Sequence, residues 1–147
     1  MSMVDVTSKP VVYREAQAKG SIRLKPETIQ LIKEGKIEKG NPFEVAKVAG
    51  ILAAKNTSSL IPLCHPLPLT GIEIKLKIID YSEVEVKTTV KTRAQTGVEM
   101  EALAAAATAL LTVWDMTKQY EKDATGQYPF TSIQNLHVVR KVKENQV

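Results

Sequence analysis

The chain of 147 residues has little sulfur and few rings: one cysteine, two histidines, one tryptophan and 5% aromatic side chains in all. A single cysteine rules out a disulfide framework and any multi-cysteine zinc ribbon, and it suits a reducing compartment. With so few aromatics, the core has to be built from aliphatic residues and alanine. The opening MSMVDVTSKP lacks the basic end and apolar run of a signal peptide. No stretch reaches the ~20 apolar residues of a membrane span. The best candidate, Ala102 to Trp114, is too short and too alanine-rich. Seven glycines and seven prolines leave no room for collagen-like repeats or low-complexity sequence. What remains is 44% hydrophobic and 24% charged. The expectation is one soluble, cytoplasmic domain over residues 1–147, since domains cluster at ~100–150 residues. Twenty basic residues against sixteen acidic ones give a net charge of +4, with the signs interleaved and no basic arm. That balance is compatible with nucleic acid, with a phosphorylated small molecule, or with neither.

The hydrophobic periodicity orders the elements. Val11 to Leu24 alternates as a strand, with Gly20 a bulge or bend. Pro26 and Gly35 bracket a short helix, and Asn41-Pro42 starts a second that ends near Lys55-Asn56. On this second helix Val45, Val48, Ala49, Leu52 and Ala53 form the apolar stripe. Thr57 to Gly71 carries Pro62, Pro66 and Pro68, which predicts neither helix nor central strand, although Leu60, Ile61, Leu63, Leu67 and Leu69 make it apolar. Ile72 to Ile78 and Val84 to Lys91 alternate on either side of Asp80-Tyr81-Ser82, a hairpin with one apolar and one charged face. A long helix follows from about Gly97 to Lys122, with Leu103, Ala107, Leu110, Val113, Trp114 and Thr117 on one side, and Leu136 to Lys143 closes as a strand. This is the β-α-β-β-α-β order of a ferredoxin-like α+β sandwich, an antiparallel sheet with helices on one face, plus a short extra helix. Such a fold hosts many functions and names none.

Three places concentrate polar residues. Cys64-His65 lies in SLIPLCHPLPL, where the prolines restrict the direction of the ring. A packed histidine bonded to a carbonyl and a catalytic one both fit; a zinc site does not, because His137 is the only other histidine. Thr96-Gly97-Val98-Glu99-Met100-Glu101 heads the long helix, where acidic residues ordinarily complement the dipole. At 100° per residue Glu99 and Glu101 point to opposite sides, so they serve one pocket only if the segment entering the helix is extended. Asp115 and Lys118 are three residues apart on one helix face, the spacing of a surface ion pair as well as of a catalytic one.

With those residues in view, the chain resembles the cyclic pyranopterin monophosphate synthases, the molybdenum cofactor biosynthesis protein C family. The matching segments are MVDVT at 3–7, VVYREAQA at 11–18, KGNPFEVAKVAGILAAK at 39–55, SLIPLCHPLPLT at 59–70, TGVEMEAL at 96–103 and VWDMTK at 113–118. The resemblance implies a homohexamer, a trimer of dimers with sites near subunit interfaces. It implies conversion of a 3′,8-cyclised dihydro-GTP into cyclic pyranopterin monophosphate with loss of pyrophosphate. It places the catalytic pair on Asp115 and Lys118, and substrate contacts on Leu63, Cys64, His65, Glu99, Met100, Glu101, Lys39 and Arg14. Two departures stand out. Thr117 occupies a position where many members carry cysteine, and the chain ends NLHVVRKVKENQV in place of a Gly- and Lys-rich tail.

The implied chemistry suits these residue types. Asp115 beside an ammonium stays ionised and can act as a base or relay, and His65 can serve as an acid or base. Lys39, Lys118 and Arg14 can neutralise charge on phosphoryl oxygens. Glu99 or Glu101 can accept guanine-derived N–H groups. No cofactor is expected, apart from magnesium as a companion of the triphosphate. No nucleic-acid or membrane partner is expected. The competing class is a non-catalytic nucleotide-binding or RNA-binding module; RNA binding would call for exposed aromatics on the strands, and the hairpin offers only Tyr81 in its turn. Glu101 and Asp115 are fourteen residues apart, ~21 Å along one helix, so one straight helix does not bring both carboxylates to one reacting centre: either an elongated triphosphate reaches from one to the other within a chain or, more economically, two protomers share the site.

Overall fold

The computed structural model describes residues 1–144; the last three positions of the expected 1–147 domain lie outside the described residues. Strand β1 (Val12–Arg23) is followed by helices α1 (Pro26–Lys33), α2 (Pro42–Lys55) and α3 (Thr57–Leu60), the hairpin β2 (Leu69–Asp80) and β3 (Glu83–Ala94), the long helix α4 (Glu99–Glu121) and strand β4 (Ser132–Glu144). The sheet order is β2-β3-β1-β4, with every pairing antiparallel and the helices packed on one face. This is the ferredoxin-like sandwich expected from the alternation pattern. Gly20 marks a break in register between β1 and β4, while β1 pairs with β3 without interruption. Among the described residues no helix is long and apolar enough to cross a membrane.

Three elements differ from the pattern reading. Thr57–Leu60 forms one helical turn, because Pro62 forbids helix only from its own position and pushes Ile61 into the extended region (φ −110°, ψ 107°). Strand β2 begins at Leu69, directly after Pro68, and β4 begins at Ser132, four residues before the alternation is visible. Both early starts are set by neighbours: Leu69 pairs with Thr92 and Ser132 with Arg23.

The inward faces of the two long helices also differ from expectation. On α2 the buried residues are Pro42, Ala46, Gly50, Ala53 and Ala54. Val45, Val48 and Leu52, three members of the stripe read from the sequence, stay exposed. On α4 the buried face runs through Ala102, Ala105, Ala106, Ala109, Leu110 and Val113, with Leu103 and Trp114 only partly covered. The physical reason is close approach. At Gly50 an added Cβ would lie on the δ-methyl of Ile74 and 3.1 Å from the carbonyl oxygen of Ala105. Small residues therefore line the contact, and the large aliphatics of α2 point away from this chain's core.

Helix starts are capped from unlike sources. Asn41 Oδ1 accepts the N–H groups of Phe43 (3.0 Å) and Glu44 (3.3 Å) at the start of α2. At α1 the acceptor comes from the far end of α4. The fully buried Glu121 carboxylate takes the Lys25 N–H at 3.1 Å and the hydroxyls of Thr28 and Thr131. That buried carboxylate ties α1 to α4 and to the approach to β4.

Candidate active site

The first turn of α4 and the proline-stiffened loop after α3 meet in an open cleft of ≈ 330 Å³, lined by Leu63, Cys64, His65, Thr96, Gly97, Glu99 and Met100, among others. Glu99 and Glu101 are both inside regular helix, so they diverge as the 100° step requires. Glu101 turns inward, is 3% exposed, and lies 3.9 Å from the Cys64 thiol, with its other oxygen finding no partner among the described residues. Burial, followed by the nearby Glu99 charge, pushes the Glu101 carboxyl up. Burial and the Glu101 carboxylate likewise push the Cys64 thiol up, so Cys64 is no ready thiolate. Glu99 folds back over Gly97, where a Cβ would collide with its carboxylate, and pairs with Lys141 of β4 at 2.6 Å. Burial works against its charge, but Lys141, its own backbone N–H and Arg14 outweigh that and hold it low.

Arg14 is buried on the helix-facing side of β1, opposite Lys143 of β4. Its guanidinium donates to the carbonyls of Ala94 (3.2 Å) and Gln95 (3.3 Å), just before the cleft. The His65 ring contacts the Val4 carbonyl at 2.6 Å through Nε2. A carbonyl can only accept, so Nε2 carries the proton and Nδ1 is the basic nitrogen of the neutral ring. Leu63 and Met100 remain exposed beside them.

The second cluster stands at the other end of α4. Asp115 receives Lys118 on Oδ1 (3.2 Å) and Lys39 on Oδ2 (3.3 Å). Lys39 also donates to the Asp115 backbone carbonyl at 2.9 Å. The hydrogen bond from Lys118 and then that from Lys39 hold the carboxyl below its ordinary range. Two ammoniums on one carboxylate leave a net positive, solvent-facing spot suited to phosphate oxygens.

The expected residues thus fall into two groups. Leu63, Cys64, His65, Glu99, Met100, Glu101 and Arg14 share one end of α4; Lys39, Asp115 and Lys118 share the other. The fourteen residues between Glu101 and Asp115 are continuous helix, or ~21 Å at 1.5 Å per residue. Lys141, on Glu99, is a functional candidate that motif reading missed. Its only sequence signal was its place in an alternating strand, which does not say that it faces the head of α4. Thr117 is fully buried and donates its hydroxyl to the Val113 carbonyl at 2.7 Å, facing the core and not the Asp115 cluster. Among the described residues no group of three or more His, Cys, Asp and Glu side chains is placed to hold a metal ion.

Comparison with known proteins gives one consistent answer. The model of the MoaC family matches residues 3–144. A probable cyclic pyranopterin monophosphate synthase of Pyrococcus horikoshii is 57% identical over 145 residues, covering 97% of this chain and 89% of the relative. Proteins of the same name from Thermococcus kodakarensis (57% over 143 residues; 97% and 91%) and Pyrococcus furiosus (55% over 148; 99% and 93%) are similar to it to the same degree.

Proposed function

The chain belongs to the MoaC family, and from that premise we propose that it is a cyclic pyranopterin monophosphate synthase of molybdenum cofactor biosynthesis. It converts 3′,8-cyclo-7,8-dihydroguanosine 5′-triphosphate to cyclic pyranopterin monophosphate and releases pyrophosphate. Within the chain, the observation that carries this reading is the Asp115 carboxylate gripped by Lys39 and Lys118. An ionised base flanked by two cations suits a reaction that moves protons while a hydroxyl attacks a phosphate. The cleft at the head of α4 binds the pterin-forming end: Glu99 faces its N–H groups, the buried Glu101 backs the cleft behind Cys64, His65 exchanges a proton through Nδ1, and Arg14 and Lys141 set the local charge. The reaction needs no resident cofactor, magnesium being a companion of the triphosphate, and the enzyme works in the cytoplasm.

We further propose a site shared between protomers of a homohexamer. Two observations support it. The two residue groups lie too far apart on one helix to act on one centre, and the chain leaves large aliphatics uncovered. Val45, Val48 and Leu52 on α2, Leu60, Ile61 and Leu63 after it, and Leu111 on α4 are all exposed. Aliphatic residues clustered on the outside of a helix pair mark an interaction face. An isologous contact that sets the Glu101 end of one α4 against the Asp115 end of another makes two equivalent sites per dimer. Incubation with the cyclised triphosphate, with product and pyrophosphate followed together, tests the activity. Binding without release of pyrophosphate would make the chain a nucleotide-binding module and overturn the reading.

A further inference from the structure

Lys39 sits in the segment between α1 and α2, residues 34–41 (EGKIEKGN), which closes α1 with backbone bonds from Gly35 and Lys36 and turns over Glu38 and Lys39 through the Gly40 N–H to the Ile37 carbonyl. Left-handed glycines stand near both ends, Gly35 at φ +67° and Gly40 at φ +119°, and only Ile37 is buried. The Lys39–Asp115 pair cannot fix the segment alone. Both side chains are largely exposed, 41% and 61%, and exposed ion pairs are weak and screened by salt. Beside the buried Ile37 and the turn at Gly40, the residue before Lys39 adds two further contacts, solvent-exposed like the ion pair but made to a different turn of α4. The Glu38 backbone N–H donates to the Tyr120 hydroxyl at 2.9 Å, and Gln119 Nε2 donates to Glu38 Oε2 at 2.8 Å. Asp115 and Gln119 are one turn apart on the same face of α4. Consecutive loop residues therefore grip consecutive turns: Glu38 on Gln119 and Tyr120, Lys39 on Asp115.

We propose that Glu38, Gln119 and Tyr120 are positioning residues that hold the Lys39 ammonium on Asp115. They touch no reacting atom; they fix the lysine that does. An unfastened loop would let Lys39 leave a carboxylate that Lys118 alone then attends, so the second ammonium would be missing when charge builds on the phosphate. This inference rests on the proposed synthase activity and extends it to three residues that the reaction itself does not name.

The test uses full-length Tyr120→Phe, which removes only the accepting hydroxyl, and Gln119→Ala, with Gln119→Glu as a variant that cannot donate to Glu38. Each is assayed with the cyclised triphosphate in the parent background and with Lys39→Ala. The expected result is a ~10-fold fall in kcat for Tyr120→Phe, with KM changed less than threefold and an unchanged melting temperature. In the Lys39→Ala background the same substitution should change kcat by less than twofold, because there is no ammonium left to position. Gln119→Glu should behave as Gln119→Ala or worse, since it faces Glu38 with a like charge. Equal losses in both backgrounds, or full turnover of Tyr120→Phe, would overturn the proposal. A parent chain that releases no pyrophosphate would instead remove the underlying activity, so the two failures are separable.

Discussion

Gly50 is the point at which α2 and α4 come closest, and replacing it with alanine sets two calculable effects against each other. In a helix interior alanine is favoured over glycine by about 1 kcal/mol, so on an open surface Gly50→Ala would stabilise. Here the new methyl would lie on the Ile74 δ-methyl and 3.1 Å from the Ala105 carbonyl oxygen. The first obstacle can rotate at about 0.5–1.5 kcal/mol if it leaves its rotamer well. The second is backbone inside the long helix α4 and gives way only by a shift of α2 against α4. Overpacking of this kind costs about 1–3 kcal/mol, and with both contacts to relieve, the upper part of that range applies. The net expectation is destabilisation by about 1–2 kcal/mol, or a melting temperature lower by about 2–8 °C. Thermal and guanidinium unfolding read it directly, with the denaturant slope unchanged. Adding Ile74→Val removes the flexible obstacle, so the double variant should lose less than the sum of the singles. A more stable Gly50→Ala, or strict additivity, would show that the helices are not in the tight contact described.

Two further expectations concern the site residues. Asp115→Asn keeps the shape of the side chain but cannot take a proton, so pyrophosphate release should fall ~10²–10⁴-fold while the melting curve stays put, because the carboxylate is mostly exposed; near-parental turnover would remove Asp115 from the chemistry. Glu101 is held above its ordinary value of 4.5 by burial. The folded chain therefore keeps a proton that the unfolded chain releases, and stability falls as pH rises from 4.5 to the raised folded value, then levels off. Glu101→Gln should abolish that fall in guanidinium titrations between pH 4 and 8, and parallel pH profiles for the two proteins would contradict the buried-acid assignment.

How far the molecule was legible follows from which residues carry a local signal. The hairpin was plain because Ile72, Ile74, Leu76 and Ile78 alternate with charges, and one face of an antiparallel pair needs little else to be recognised. The α2 stripe misled for a physical reason: periodicity reports that Val45, Val48 and Leu52 share a face, not which body covers it. Alanine and glycine carry almost no hydrophobic signal, yet they form the inner face here, since close approach of α2 to α4 selects for small size. Candidate site residues were legible where a dense motif held them, as in LCH at 63–65 and EME at 99–101. Lys141 and the Glu38–Gln119–Tyr120 contacts were not, since each depends on a partner roughly 40 to 80 residues away in sequence. Glu121 reads as one more charge near a helix end, and only the fold reveals it as the buried cap of another helix.

The claim on which the account turns is that the Glu101 and Asp115 ends of α4 meet between protomers. Glu101→Ala and Asp115→Ala subunits, each expected to be inactive alone and assayed as such first, are mixed, dissociated and reassembled, and mixed oligomers are verified by differently tagged chains. In a shared site one position of each mixed pair carries both defects and its twin carries neither, so the mixture should recover about a quarter of parental turnover at equal subunit ratio. A mixture that stays inactive although mixed oligomers are present would place both residues in the same chain's site and contradict the account.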